Sequence, residues 1–357
     1  MRQQVDIGVE ARFYVELEEG YVQCTICPRR CTIKPGGYGF CGTRVNIDGR
    51  LYSLIYGRLT AMAVDPIEKK PLYHFWPGSA TLSISSIGCS FRCPWCQNWH
   101  LSQPARLNTA DLEYADPRSV VEAAKRTECP SISITYNEPI IWLEYDLDVA
   151  REAKKEGIFI VFVTNGYISA EALDEAVHFI DAANVDIKAF KEDTYREYCK
   201  GELREVLRTV AEFKRKGVHV ETTTLLIPGL NDSLEEVRAL CKWLYDELGP
   251  DTPVHFSRFY PHFKFTHLPP TPIDSLRRAR RVASEEGLRF VYLGNVPGGE
   301  GSTTYCPSCG ETVVERLGFE VTAWRLSEDM RCRSCGFKIP IAGRYEPSRL
   351  WTRYMLF

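Results

Sequence analysis

Through the middle of the chain, short apolar runs alternate with longer amphipathic stretches. The runs at residues 81–87, 131–135, 158–163, 183–187, 218–225, 254–259 and 289–293 predict strands. Between them, residues 117–127, 140–155, 169–179, 203–216, 233–247 and 273–286 carry the period of amphipathic helices. The strand runs are rich in β-branched residues, as strands buried on both faces should be. Strict alternation predicts parallel strands joined by right-handed crossovers. About six βα units can be counted, fewer than the eight of a closed barrel. The expected fold is therefore α/β, an open, partial (β/α)6-type TIM barrel over residues 79–297. Residues 1–78 and 298–357 lack this rhythm, and each is expected to form a small cysteine-rich segment.

Composition changes this picture in one respect. The chain has 357 residues, 44% hydrophobic and 25% charged, with a net charge of −3. That balance gives no general affinity for nucleic acid or membrane. The N-terminal run MRQQVDIGVEARF lacks the apolar stretch of a signal peptide, and no apolar run is long enough to span a bilayer, so a cytoplasmic protein is expected. Fourteen cysteines are many for such a protein, and metal ligation explains them better than disulfides. They divide into four near the N-terminus, three in the run GCSFRCPWCQNW and four near the C-terminus. Cys129, Cys199 and Cys241 remain, and read as small buried hydrophobes.

Cys89, Cys93 and Cys96 stand in C-x3-C-x2-C spacing directly after a predicted strand. Three soft thiolates this close suit an iron–sulfur cluster with one iron left open. A zinc knuckle at Cys93 and Cys96 is the plainer alternative. In parallel βα folds, chemistry collects where strands end, and polar residues stand at those ends here. Strand two runs into Tyr136-Asn137-Glu138-Pro139, where Glu138 could bind a ligand ammonium group or cap the next helix. Strand three ends in Thr164-Asn165-Gly166, either a turn or a hydrogen-bonding contact to a cofactor. Strand four ends in Asp186-Ile187-Lys188, two charges on one face that bind a ligand or pair with each other. His255 on strand six faces a substrate or is a satisfied core histidine. The run Arg277 to Arg281 reads as a solvated helix face.

The two flanking groups are metal sites by spacing. Cys306-x2-Cys309 and Cys332-x2-Cys335, each followed by glycine, predict a zinc-ribbon or rubredoxin-like site of four cysteines for zinc or iron. Cys24-x2-Cys27-x3-Cys31-x9-Cys41 is compatible with zinc, iron or an auxiliary iron–sulfur cluster, with a slight lean to a single metal.

The cluster loop, with aromatic Trp95 before the third cysteine, resembles that of the radical S-adenosylmethionine (SAM) enzymes. Further motifs are CTICPRRCTIKPGGYGFCG, DPIEKKPLYHFWPGS, ITYNEP, TNGY, NVDIKAF, TTLLIPGLND, HFSRFYP and YLGNVPGGEGSTTYCPSCG. Together they resemble the radical SAM component of the AmmeMemoRadiSam system. A looser likeness to pyruvate formate-lyase activating enzymes covers the barrel alone. The resemblance implies that Cys89, Cys93 and Cys96 hold a 4Fe–4S cluster whose open iron chelates SAM. One electron then cleaves SAM to methionine and a 5′-deoxyadenosyl radical. It further implies that Trp95 and Gln97 shield the cluster and line the adenine side, and that residues such as Asp186 and Lys188 contact SAM. Tyr136 and Asn137 stand where the family often carries two glycines, and Thr222 to Thr224 stand where activating enzymes tend to carry a basic residue. The partners implied are AMMECR-family and Memo-family proteins and a flavodoxin- or ferredoxin-type electron donor. The substrate expected is a small molecule or nucleobase. Alternatives are a glycine on a partner protein, as for a glycyl radical enzyme activating enzyme, or RNA.

Overall fold

The computed structural model describes residues 8–103, 109 and 112–348. Eight strands form one sheet in chain order: β1 (Ala61–Pro66), β2 (Ala80–Ser85), β3 (Ser131–Ile134), β4 (Phe159–Thr164), β5 (Ala182–Asp186), β6 (His219–Leu226), β7 (Val254–Arg258) and β8 (Val291–Gly294). Strands β2 to β8 run parallel. The six crossovers between them carry α1 (Pro117–Arg126), α2 (Leu143–Lys155), α3 (Ala170–Ala176), α4 (Leu203–Arg215), α5 (Leu234–Leu248) and α6 (Ile273–Glu285). The α/β parallel core expected from the alternating pattern is therefore present.

Local chemistry starts several of these helices. Asp116 accepts from the Arg118 and Ser119 amides, with Pro117 in the first turn. Ser169 and Ser233 cap α3 and α5 in the same manner. The outward face of the sheet (Leu82, Ile84, Ile132, Ile134, Ile160, Phe162) packs with Val120, Ala124 and other helix residues in one core. Each such side chain contributes about 1.5–3 kcal/mol by leaving water.

The strand β1 was not expected. It lies within the first 78 residues, yet pairs antiparallel with β2 from Ala61↔Ser85 to Pro66↔Ala80. It ends in Asp65 and Pro66, a composition that suits only a sheet edge. The segment after it turns inward and closes the barrel at the strand starts. Ile67, Leu72 and Phe75 pack on Val161 and Ala182. Phe75 meets the rings of Phe159 and His219, the first residues of β4 and β6.

The C-terminal segment docks beneath this plug. Its three antiparallel strands are Thr304–Tyr305, Thr312–Leu317 and Glu320–Trp324. Buried Arg316 donates to the Tyr73 carbonyl (2.8 Å) and to Thr304 Oγ1 (2.9 Å). His74 contacts the Tyr292 hydroxyl (2.6 Å) and the Pro340 carbonyl (3.2 Å). The N-terminal segment forms two small antiparallel sheets and packs at the opposite end. There the Ser169 amide donates to the Ile26 carbonyl (3.1 Å), and Arg44 pairs with Glu144 in full burial. No helix among the described residues is long and apolar enough to cross a membrane.

Candidate active site

The cluster loop leaves the C-terminal end of β2. Its sulfurs sit among polar donors. The Phe91 amide reaches Cys89 Sγ (3.3 Å), the Asn165 amide nitrogen Nδ2 reaches the same sulfur (3.7 Å), and Ser102 Oγ lies 3.1 Å from Cys96 Sγ. Cys93 is buried, with Cys199 beside it. Donors aimed at sulfur stabilise thiolate and tune any metal it binds. The three thiolates and their donors therefore fit the iron–sulfur cluster that the spacing predicts.

Phe91 anchors the loop, 1% exposed between the rings of Tyr167 and Tyr195. Gly201 makes room for it, because a Cβ there would lie 2.3 Å from the Phe91 ring. Gly201→Ala is expected to cost about 1–3 kcal/mol through overpacking. It should also lower iron bound after reconstitution, read by metal analysis alongside a melting curve. Unchanged iron and stability would mean that Phe91 does not hold the loop.

Glu138 ties two strand ends together. Its carboxylate accepts from the Thr164 hydroxyl (2.6 Å), the Asn165 amide (2.9 Å) and the Ile140 amide (3.2 Å). Burial pushes it up to about 7, against the pull of those donors. Of the two roles read from the sequence, the helix cap is visible in Glu138, which also holds Asn165, and Asn165 in turn reaches Cys89 and Ser90 Oγ (3.1 Å). Asn137 accepts from the Ser86 amide (3.1 Å), while its buried Nδ2 has no partner.

Tyr136 occupies a left-handed backbone, φ +68°, where glycine would carry no penalty. Its carbonyl accepts from Asn98 Nδ2 (2.9 Å), and its hydroxyl meets Asp65 inside the barrel. The glycine-type turn is thus kept without glycine, held through both backbone and side chain.

Asp65 and Lys70 had no role assigned from sequence. Asp65 accepts from Lys70 Nζ (2.8 Å), Lys69 Nζ (2.7 Å) and Ser83 Oγ (2.7 Å). Burial opposes its charge, but Lys70, Lys69 and Tyr136 together hold it well below the usual carboxylate range. Lys70 is 1% exposed, and burial lowers it to about 8 against the attraction of Asp65. Register also places Asn184, Asp186, Glu221, Thr223 and His255 along the interior face. The barrel interior is polar, and Thr223 Oγ1 and Asn184 Oδ1 are buried there without partners.

Asp186 and Lys188 pair with each other at 2.9 Å, both partly exposed at the end of β5. His255 differs from a substrate-facing role. Its Nε2 meets Glu221 Oε2 at 2.7 Å and its ring packs edge-on against Tyr73. Burial raises Glu221, but His219 and His255 outweigh it and hold the carboxyl well below its usual range. His255 is therefore a satisfied core histidine. Gln97 follows the third cysteine of the loop. Its side chain is exposed, and its carbonyl contacts His262 Nε2 (3.1 Å). Trp95 is buried against Tyr198 and Phe265. Arg277 on the basic helix pairs with Asp274 and Glu300 at the surface.

The four C-terminal cysteines converge. Their sulfurs all lie within 4.8 Å of one another, with Cys306–Cys335 at 3.5 Å and Cys309–Cys332 at 3.7 Å. Gly310 and Gly336, at φ +76° and +77°, turn their amides back to the Cys306 and Cys332 carbonyls. The N-terminal Cys24, Cys27, Cys31 and Cys41 instead surround a shared cavity.

A parallel barrel with a three-thiolate loop at the end of its first parallel strand defines a radical SAM enzyme. Residues 83–244 match the Radical SAM superfamily, and the chain belongs to it. An uncharacterised protein of Methanocaldococcus jannaschii is 46% identical over 93% of this chain and 99% of its own length. A putative glycyl-radical enzyme activating enzyme of the same organism is 26% identical over 48% of this chain and 71% of its own. Pyruvate formate-lyase 1-activating enzyme of Escherichia coli is 21% identical over 57% and 89%. The superfamily implies a 4Fe–4S cluster and SAM as cofactors, and radical chemistry as the reaction class.

Proposed function

We propose that Cys89, Cys93 and Cys96 hold the SAM-binding cluster, and that the enzyme acts on a small polar molecule or nucleobase. In this reading it works with AMMECR-family and Memo-family partners and a flavodoxin- or ferredoxin-type donor. The observation that carries it is the polar barrel interior, where Asp65 and Lys70 are buried, half-buried Tyr136 meets Asp65, and Thr223 Oγ1 and Asn184 Oδ1 have no hydrogen-bond partner. Charges and unpartnered polar atoms at that depth suit a small substrate better than a length of polypeptide. When bound, the cluster and SAM supply a 5′-deoxyadenosyl radical by one-electron cleavage of a carbon–sulfur bond. The chain's own residues do the positioning. Glu138 holds Asn165 against Cys89, Trp95 keeps water from the loop, and Asp186 with Lys188 offers paired charges to the polar groups of SAM. Asn137 Nδ2 is a further donor awaiting a ligand.

A glycyl radical enzyme activating function is the second reading, favoured by the two named activating enzymes among the relatives. Action on RNA has less support. The C-terminal knuckles lie at the strand starts, away from the cluster loop. The test is anaerobic reconstitution with iron and sulfide, then dithionite and SAM, with 5′-deoxyadenosine read by mass spectrometry. Acceleration by small-molecule pools plus the two partners supports the first reading. Acceleration only by a protein that gains a glycyl radical replaces it with the second.

The position of Glu138 also sets a pH dependence. The carboxylate form accepts from both amides, and the protonated form gives up an acceptor. With the carboxyl at about 7, SAM cleavage is expected to rise with pH through that value and then level. Glu138→Gln should lower the rate about tenfold or more, the effect of one buried unpaired amide, and remove that limb. A variant retaining the same limb would assign the titration elsewhere.

A further inference from the structure

We propose that Cys24, Cys27, Cys31 and Cys41 bind a second 4Fe–4S cluster, ligated by all four thiolates, and not a single metal ion. The C-terminal site provides an internal ruler. One tetrahedral ion with metal–sulfur bonds of about 2.3 Å holds its sulfurs about 3.8 Å apart. The C-terminal sulfurs match that spacing at 3.5 and 3.7 Å. Among the described residues, no other group of three or more metal-type ligands is drawn so close. The N-terminal four therefore stand farther apart, as do Cys89, Cys93 and Cys96. A four-iron core interposes iron and sulfide between the thiolates and requires that wider stance.

The four sit around a common space. They line one shared pocket, walled also by Arg29, Phe40, Arg44 and Ser90. The wall also carries unanswered donors. Arg44 gives its terminal nitrogens to Glu144 and the Ile141 carbonyl, and its buried Nε has no partner; Arg29 Nε is buried and unpartnered too. Buried guanidinium donors need an acceptor, and a thiolate-ligated cluster brings negative charge and sulfide acceptors to that wall. Two donors already point at thiolates: the Phe40 amide to Cys31 (3.5 Å) and the Thr43 hydroxyl to Cys41 (3.2 Å).

The cavity adjoins the radical site. Ser90 walls it and follows Cys89 in the chain, and a Cβ on Gly88 would lie 3.1 Å from the Cys41 carbonyl. Four protein ligands leave no iron open, so this centre does not bind SAM.

The test uses the full chain, reconstituted anaerobically with iron and sulfide. A Cys89→Ala/Cys93→Ala/Cys96→Ala variant should retain about four iron and four sulfide per chain, with a reduced-cluster EPR signal that SAM does not alter. A Cys24→Ala/Cys27→Ala variant should lose that share and keep the SAM-sensitive signal. Where either variant fails to fold, Mössbauer spectra of the native chain decide, with about eight cluster irons expected against about four. A triple variant without sulfide but with two single-ion sites would overturn the proposal. A failed radical reading shows separately, as a native signal indifferent to SAM.

Discussion

Formation of 5′-deoxyadenosine is expected to fall below detection when Cys93 is replaced by alanine. Three protein thiolates are the fewest that leave one iron of a cubane open while the cluster stays bound. Cys93 is the most enclosed of the three, 8% exposed, so water cannot readily take its place. One neighbour complicates the experiment: Cys199 lies beside Cys93 at the end of a π-helical turn. The Cys93→Ala/Cys199→Ala pair is therefore the control. Activity lost only in the double variant would make Cys199 a substitute ligand. Activity retained in both, at the native rate, would sink Cys93 as a ligand and with it the proposed cluster site.

Loss of the C-terminal metal is expected to have the second largest effect, on stability. Cys306 and Cys332 are buried with Val313, Val314, Leu326 and Met330 in a core that also holds Tyr73 and Tyr292 of the barrel. A segment this short cannot build an adequate core alone, and a structural zinc ion contributes about 10–16 kcal/mol of apparent binding energy. Cys306→Ala/Cys332→Ala should therefore unfold the segment and lower Tm by on the order of 10 °C, because the plug beneath the barrel loses its support. Cluster iron at the other end should be kept. A metal-free variant that melts like the native chain would show that the site adds nothing to the fold.

The barrel was legible because its strands are continuous apolar runs and its helices carry caps, and both signals are local. Strand β1 was not, since AMAVDP is short, ends in proline and acquires meaning only from its antiparallel partner. The cluster loop declared itself by spacing. The partners of His255 did not, because Glu221 lies 34 positions away and periodicity assigns a face, not a neighbour. Asp65 and Tyr136 are 71 residues apart and meet only through the fold. The strained turn at Tyr136 had no glycine to betray it. Spacing alone also left both four-cysteine groups open among several metals, for only the distance between sulfurs separates one ion from a cubane.

The two ends of the barrel differ in their sensitivity to air. Iron–sulfur clusters decay in oxygen, whereas the ion held by four thiolates at the strand starts, were it zinc, would have no redox chemistry to lose. Material handled on an open bench would then remain folded, carry a stoichiometric colourless metal and be chemically silent. Such a preparation would pass for a scaffold protein, when what it had lost was the half of the molecule that reacts.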